Sequence, residues 1–155
     1  MKPKSKLNKF VTPIIAIVLG YSSLATAQSS REYAEMGVAM WAGFECATFA
    51  NVFEDKAEVE RLFSFAYEQG KAFIAVMQAG KIDKRDVSSI VPSGVLMGLG
   101  GPTPDFMLGK IYTGAAEHAH EDMFAVNGEL TTKEYQVMLA KSRYAKSNCA
   151  LVGHK

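Results

Sequence analysis

The densest group of side chains able to bind a metal ion or a proton lies at residues 117–122, which read Glu-His-Ala-His-Glu-Asp. On a helix, Glu117, His120 and Glu121 would share one face. His118 and Asp122 would share another. Carboxylates and imidazoles bind divalent metals, but the second Glu-x-x-His motif of the di-iron bundles is missing from the sequence. The run therefore predicts a metal site, a pH-sensing pair of histidines, or the solvated, charged end of an amphipathic helix.

A single carboxylate, Glu45, interrupts an apolar stretch that includes Trp41, Phe44 and Phe49. A buried carboxylate is costly unless it is paired or hydrogen-bonded. Glu45 is therefore a candidate buried acid with a perturbed proton affinity in a functional pocket. The alternatives are that the helix exposes a narrow strip at this position, or that a lysine or tyrosine from another helix pairs with the carboxylate.

No motif for a catalytic nucleophile accompanies these groups, because the sequence contains neither G-x-S-x-G nor H-E-x-x-H. We assign no catalytic residue, and an enzyme is the less favoured class of function. Residues 92–105 are rich in glycine and precede a helix start, where anions bind well. No strand is predicted before them and no phosphate-loop pattern is present. The run therefore predicts a junction between helices, with a mobile apolar flap over a pocket as a variant.

The only two cysteines of the chain are Cys46 and Cys149. An even number of cysteines in an exported chain indicates a disulfide, and the spacing fits neither a redox C-x-x-C motif nor a zinc site. Such a bond would close a loop of about 100 residues, which the chain-entropy model values at up to about 4.7 kcal/mol. It would pin the last helix, on which Cys149 is predicted to lie, against the central helix that carries Cys46.

Helices must position all of these side chains. Apolar residues at helical spacing predict about five of them: 30–53, 56–79, a broken segment in 83–101 interrupted by Pro92, one capped by Thr103 and running to Ala125, and one capped by Thr131 and running to Ala150. Capping boxes are also predicted at Ser29 with Glu32 and at Thr131 with Glu134. No strand is predicted, and Asn127-Gly128 is expected to form a turn between two helices.

The predicted fold class is all-α, a compact bundle of about five helices with one disulfide. The first helix of the mature chain is apolar nearly all round, so we expect it to be buried at the centre of the bundle.

Residues 1–27 have the three parts of a secretory signal peptide: four lysines without an acid, an apolar run from Phe10 to Leu19, and an Ala25-Thr-Ala27 cleavage site. A helix rises about 1.5 Å per residue, so this run is too short to cross a hydrocarbon core of about 30 Å. The sequence therefore predicts cleavage between Ala27 and Gln28. The product would be a periplasmic or secreted helical domain at 28–155, without a stable membrane anchor after cleavage.

The chain has 17 basic and 16 acidic residues, and four of the lysines lie within 1–27, which leaves 13 basic residues and a net charge of −3 after cleavage. This balance argues against a nucleic-acid partner, which requires a concentrated basic surface. No cofactor is indicated. The predicted function is a small exported binding protein that acts by contact with a protein partner, as an inhibitor, immunity or exclusion factor. The alternative is a metal- or small-ligand-binding protein that uses residues 117–122 or an apolar cavity between helices.

Overall fold

The computed structural model describes residues 28–154. Its elements are α1 Ser30–Val52, α2 Lys56–Gln78, α3 Lys84–Ile90, α4 Ser93–Gly98, α5 Pro104–His120, β1 Ala125–Val126, β2 Glu129–Leu130, α6 Lys133–Lys146 and the 3₁₀ helix Cys149–Leu151. The all-α prediction is confirmed. The predicted signal peptide, with Ala27 on one side of its cleavage site, lies outside the described residues, whereas Gln28 on the other side is exposed. In the part of the chain that is described, no helix has both the length and the apolar character needed to cross a membrane.

Side-chain caps fix the starts of the long helices. The capping box at α1 is confirmed, because Ser29 accepts a hydrogen bond from the backbone of Glu32 while the Glu32 carboxylate accepts one from the Ser29 N–H. Asp55 and Thr103 cap α2 and α5 by a single bond each, since their side chains accept from the N–H of Glu58 and of Phe106. The cap predicted at Thr131 was wrong by one residue. Thr132 caps α6, and the Thr131 hydroxyl instead donates to the carbonyl of Met123.

Helix α1 is the centre of the bundle, as its composition predicted. It contacts α2, α3, α5, α6 and the 3₁₀ helix. Around its first half lies a core cluster that contains Phe44, Phe73 and Ile111, and around its second half lies another that contains Phe49 and Leu62. Because α1 spans both clusters, residues on it can be brought against every other long helix.

The prediction that no strand forms was wrong. Helix α5 ends at His120 rather than at Ala125, and β1 and β2 form a short antiparallel hairpin around Asn127-Gly128. The φ angles of Asn127 and Gly128 are 53° and 84°. Positive φ at both central residues is the requirement of a type I′ turn, which matches the twist of paired strands. The dipeptide therefore directs hairpin formation, where we had predicted only a link between helices.

The predicted disulfide joins Cys46 of α1 to Cys149, over a sequence separation of 103 residues. Cys149 lies in the 3₁₀ helix rather than on α6, because α6 ends at Lys146 and Asn148 has a positive φ of 52°. Arg61 of α2 holds the same segment by donating to the carbonyls of Cys149 and Val152. The end of the chain is thus attached to both α1 and α2.

Candidate functional site

The metal-capable run at 117–122 does not converge on one point. Glu117, His118, Glu121 and Asp122 are exposed, and the helix ends within the run at His120. His120 is partly buried against the Phe124 ring, and burial lowers its pKa. Within residues 28–154, no group of three or more His, Cys, Asp or Glu side chains is arranged to hold a metal ion.

His118 is instead the partner of Glu45. Its Nδ1 lies 2.5 Å from Oε1 of Glu45, so the pair joins α5 to α1. The Glu45 side chain is 19% exposed and that of His118 is 65% exposed. Glu45 is therefore partly buried and paired, and its partner is a histidine where we had considered a lysine or a tyrosine. The His118 ring also lies against the indole of Trp41, with centroids 6.1 Å apart.

Trp41 forms the floor of a cleft of about 500 Å³ between α4 and α5. Glycines form much of the wall, and a Cβ atom placed on Gly94 would lie 2.2 Å from the Trp41 ring. Met97, which is 81% exposed, lies at the mouth. The remaining lining residues are Gly98, Lys110, Thr113, Gly114 and Glu117. The glycine-rich run thus does form a junction between helices, and it leaves an aromatic ring accessible beside it.

The His118–Glu45 pair itself lines a second cleft, of about 420 Å³. Its lining side chains come from α1, α5 and the end of α6, and they are Glu45, Phe49, His118, Glu121, Arg143, Lys146 and Ser147. Two acids face two permanent cations here, and Arg143 already donates to the Ala119 carbonyl at 2.9 Å. The balanced charges and this internal contact are typical of a structural crossing of helices.

The large apolar residues that could have lined a cavity divide into two groups. Phe44 and Phe73 are fully buried in the core. Phe63, Tyr67 and Tyr112 instead lie together at the surface of α2 and α5, and we call these three rings the aromatic surface. Phe63 stacks on Tyr67 with centroids 6.3 Å apart and meets Tyr112 edge to face at 5.4 Å. Phe63 and Tyr112 are 39% and 38% exposed.

The core supports the aromatic surface from below. Phe44 of α1 contacts Phe63 at 5.5 Å and Tyr112 at 5.3 Å between centroids, and Phe44 itself is only 1% exposed. Tyr67 donates a hydrogen bond to Asp105 at 2.8 Å, which raises the pKa of the phenol. The rings are therefore held in place although they face outward. No pattern in the sequence joins Phe63 and Tyr67 to Tyr112, which lies on a different helix.

The rim of the aromatic surface carries more acids than bases. Phe63 lies beside a cleft of about 380 Å³ whose charged side chains are Glu54, Glu60 and Lys56. Around Tyr67 the charged side chains are Asp105, Glu68 and Lys71. Lys71 is already engaged, since it pairs with Glu68 at 2.7 Å and lies over the Tyr67 ring at 4.7 Å. Glu54 is likewise paired, with Lys133 at 3.5 Å, so the excess of negative charge on the rim comes from Glu60 and Asp105.

Comparison with known proteins gives no relative from which a role for the aromatic surface, the Trp41 cleft or the His118–Glu45 pair could be inferred. No protein-family model, curated protein or solved structure matches the chain.

Proposed function

We propose that the protein is a non-enzymatic binding protein that holds a protein partner through the aromatic surface. The single observation that carries this proposal is the contact of three rings on two packed helices, of which Phe63 and Tyr112 are exposed and Tyr67 is half-buried. Contiguous exposed apolar patches on a protein mark interaction sites. Aromatic side chains are also enriched at the centres of protein interfaces and among the residues that contribute most to affinity.

The geometry reduces the cost of binding. Side chains that are ordered only on association lose about 0.5–1.5 kcal/mol each. Here the buried Phe44 ring fixes Phe63 and Tyr112 from below, and the Asp105 hydrogen bond fixes Tyr67. A preorganised surface of this kind retains more of its contact energy as affinity.

The charge of the rim specifies the partner. Glu60 lies at one end of the aromatic surface, and Asp105 lies at the other. Opposite charges across an interface raise the association rate and exclude partners of the wrong sign. We therefore assign the surface to a partner that presents an apolar segment flanked by lysine or arginine.

We further propose that the protein works outside the cytoplasm, after cleavage between Ala27 and Gln28, as an inhibitor, immunity or exclusion factor. The charge and length pattern of residues 1–27 supports export, and the Cys46–Cys149 disulfide is compatible with it. A rigid surface that covers a site on another protein is sufficient for such a role.

Site-specific crosslinking tests the proposal. A photo-crosslinking amino acid is introduced in place of Phe63 in one variant and of Tyr112 in another, in the cells that make the protein. The matched control replaces Met138 of α6, which is 59% exposed and lies outside the aromatic surface. We expect one discrete product that is shared by positions 63 and 112 and is missing at position 138.

The crosslinked protein is then purified and its binding to the unmodified chain is measured. We expect saturable binding that weakens as salt rises, because rim charges contribute to it. Crosslinks that are equal at all three positions, or a product that does not bind the purified chain, would contradict the proposal.

A further inference from the structure

We propose that the Trp41 cleft is a binding site for a short zwitterionic peptide, with its carboxylate at Lys110, its ammonium group at Glu117 and an apolar middle residue over the indole. The inference does not depend on the aromatic surface. Tyr112 faces α2 through Phe63, whereas the cleft lies where α5 meets α4. The two sites therefore lie on different sides of α5.

The cleft has the size and the surface of a small-molecule site. Its volume of about 500 Å³ lies within the range of ligand pockets, which are largely apolar with a few placed polar groups. The outer edge of the Trp41 ring lies against the backbone at Gly94 and near Gly114, and these two glycines have no side chains to fill the cleft between α4 and α5. Met97 at the mouth supplies a flexible thioether, which adapts to ligands of different shape.

The charged groups set the length of the ligand. Lys110 and Glu117 lie seven residues apart on α5, so their Cα atoms, from which the two charged side chains extend, are about 10 Å apart along the helix axis. An extended chain spans about 3.3–3.6 Å per residue, so three residues cover this distance. The Thr113 hydroxyl lines the cleft between the two charges. It donates to the Gly109 carbonyl and keeps its lone pairs available to a peptide N–H.

The ends of the cleft differ in charge, which gives the site a direction. Lys110 bonds the Gly100 carbonyl at 3.0 Å, so its ammonium group is held at the glycine-rich end. Glu117 lies two turns further along α5, towards His118. A free peptide bound in the opposite orientation would place like charges together at both ends. This arrangement therefore selects one orientation and discriminates against peptides whose termini are blocked.

Fluorescence provides a direct test, because Trp41 is the only tryptophan in the chain. The probe is the tripeptide Ala-Leu-Ala, which has no fluorescence of its own. It is compared with its N-acetylated form, its C-amidated form and the form blocked at both ends. We expect a saturable change in Trp41 emission with the free peptide, and an affinity roughly threefold weaker for each blocked end.

Two variants test which side chain binds each terminus of the peptide. In Lys110→Gln, amidation of the peptide should no longer reduce affinity, and in Glu117→Gln, acetylation should no longer reduce it. Gly114→Leu should abolish binding by filling the cleft. Gly109→Leu is the matched control, because a Cβ at Gly109 meets nothing within 4 Å. No saturable change with the free peptide, equal affinity for the doubly blocked peptide, or equal effects of the two leucine variants would overturn the proposal.

Discussion

The rings of Phe63 and Tyr112 meet edge to face, with their planes at 79°, although 49 positions separate them in the sequence and they lie on different helices. Edge-to-face pairs of this kind contribute about 0.5–1.5 kcal/mol beyond the area that they bury. Both rings also contact the buried Phe44 ring. The contact thus links the core to the surface that we propose for partner binding.

The packing of Trp41 predicts opposite effects for two glycine substitutions. Gly94→Ala would place a Cβ 2.2 Å from the indole, so the ring must move. We expect the free energy of unfolding to fall by about 1–3 kcal/mol and the Trp41 emission to shift. Gly109→Ala has nothing within 4 Å of its Cβ and should gain about 0.5–1 kcal/mol from helix propensity. Urea unfolding followed by fluorescence measures both, and equal changes in the two variants would contradict the packing described here.

The contact between Glu58 and Arg61 predicts how stability depends on pH. Hydrogen bonds from Arg61, at 2.7 and 2.8 Å, lower the pKa of Glu58 from its ordinary value of 4.5 to about 2, and Tyr144 adds a further bond at 2.7 Å. A carboxyl group with a lowered pKa in the folded state stabilises the fold above its unfolded pKa. That contribution is lost as the pH falls through the folded pKa.

We therefore expect Glu58→Gln to lower the unfolding free energy by about 1–3 kcal/mol at neutral pH. The difference from the unsubstituted chain should shrink as the pH falls from about 4.5 towards 2. Glu60→Gln, on the exposed side of the same helix, is the control and should have little effect. A Glu58→Gln deficit that stays constant over this range would count against the ion pair as the cause.

Loss of the disulfide should weaken the whole bundle. The bond closes a long loop and fastens the 3₁₀ helix to α1. The double substitution of Cys46 and Cys149 by serine should therefore lower the free energy of unfolding by about 2–4 kcal/mol. The midpoint of urea unfolding measures the loss. A reducing agent should lower the midpoint of the unsubstituted chain and leave the double variant unchanged. An unchanged midpoint after complete reduction would refute the role of the bond.

The exposure of the Glu45–His118 pair predicts that substitution of Glu45 has only a small effect on the free energy of unfolding. The sequence had suggested a larger one, because Glu45 lies in an apolar stretch. Removing one partner of a deeply buried ion pair costs about 3–5 kcal/mol, but pairs that reach solvent contribute about 1 kcal/mol or less. Because His118 is 65% exposed, we expect Glu45→Gln to lower the unfolding free energy by at most about 1 kcal/mol. Chemical unfolding tests this, and a loss above about 2 kcal/mol would show that Glu45 has a larger structural role.

Local signals explain what could be predicted from the sequence. The caps at Ser29 and Thr103 act within four residues, so their patterns were sufficient to place the helix starts. The apolar composition of α1 was likewise sufficient to predict its central position. The hairpin at Asn127-Gly128 had a local signal as well, because that dipeptide favours a type I′ turn. The error lay in extending the preceding helix to Ala125, five residues beyond its end at His120, which left only a turn between helices at the dipeptide.

Contacts between distant helices explain what could not be predicted. His118 pairs with Glu45 although 73 positions separate them in the sequence. The spacing of residues along one helix does not show which other helix supplies the partner of a lone carboxylate. The aromatic surface has the same origin, since Tyr112 joins Phe63 only through the packing of α5 on α2. Gly94 belongs to the glycine-rich run that the sequence shows, but only its approach to Trp41 shows what that glycine accommodates.

The affinity of the crosslinked partner for Phe63→Ala is the most direct test of the central claim, that the aromatic surface binds a protein. Isothermal titration calorimetry compares it with the unsubstituted chain and with Met138→Ala, after circular dichroism has shown that all three are folded. We expect Phe63→Ala to raise the Kd by about 30-fold or more, the effect of a residue worth about 2 kcal/mol, and Met138→Ala to change it by less than about twofold. Equal Kd values for the two variants would contradict the account.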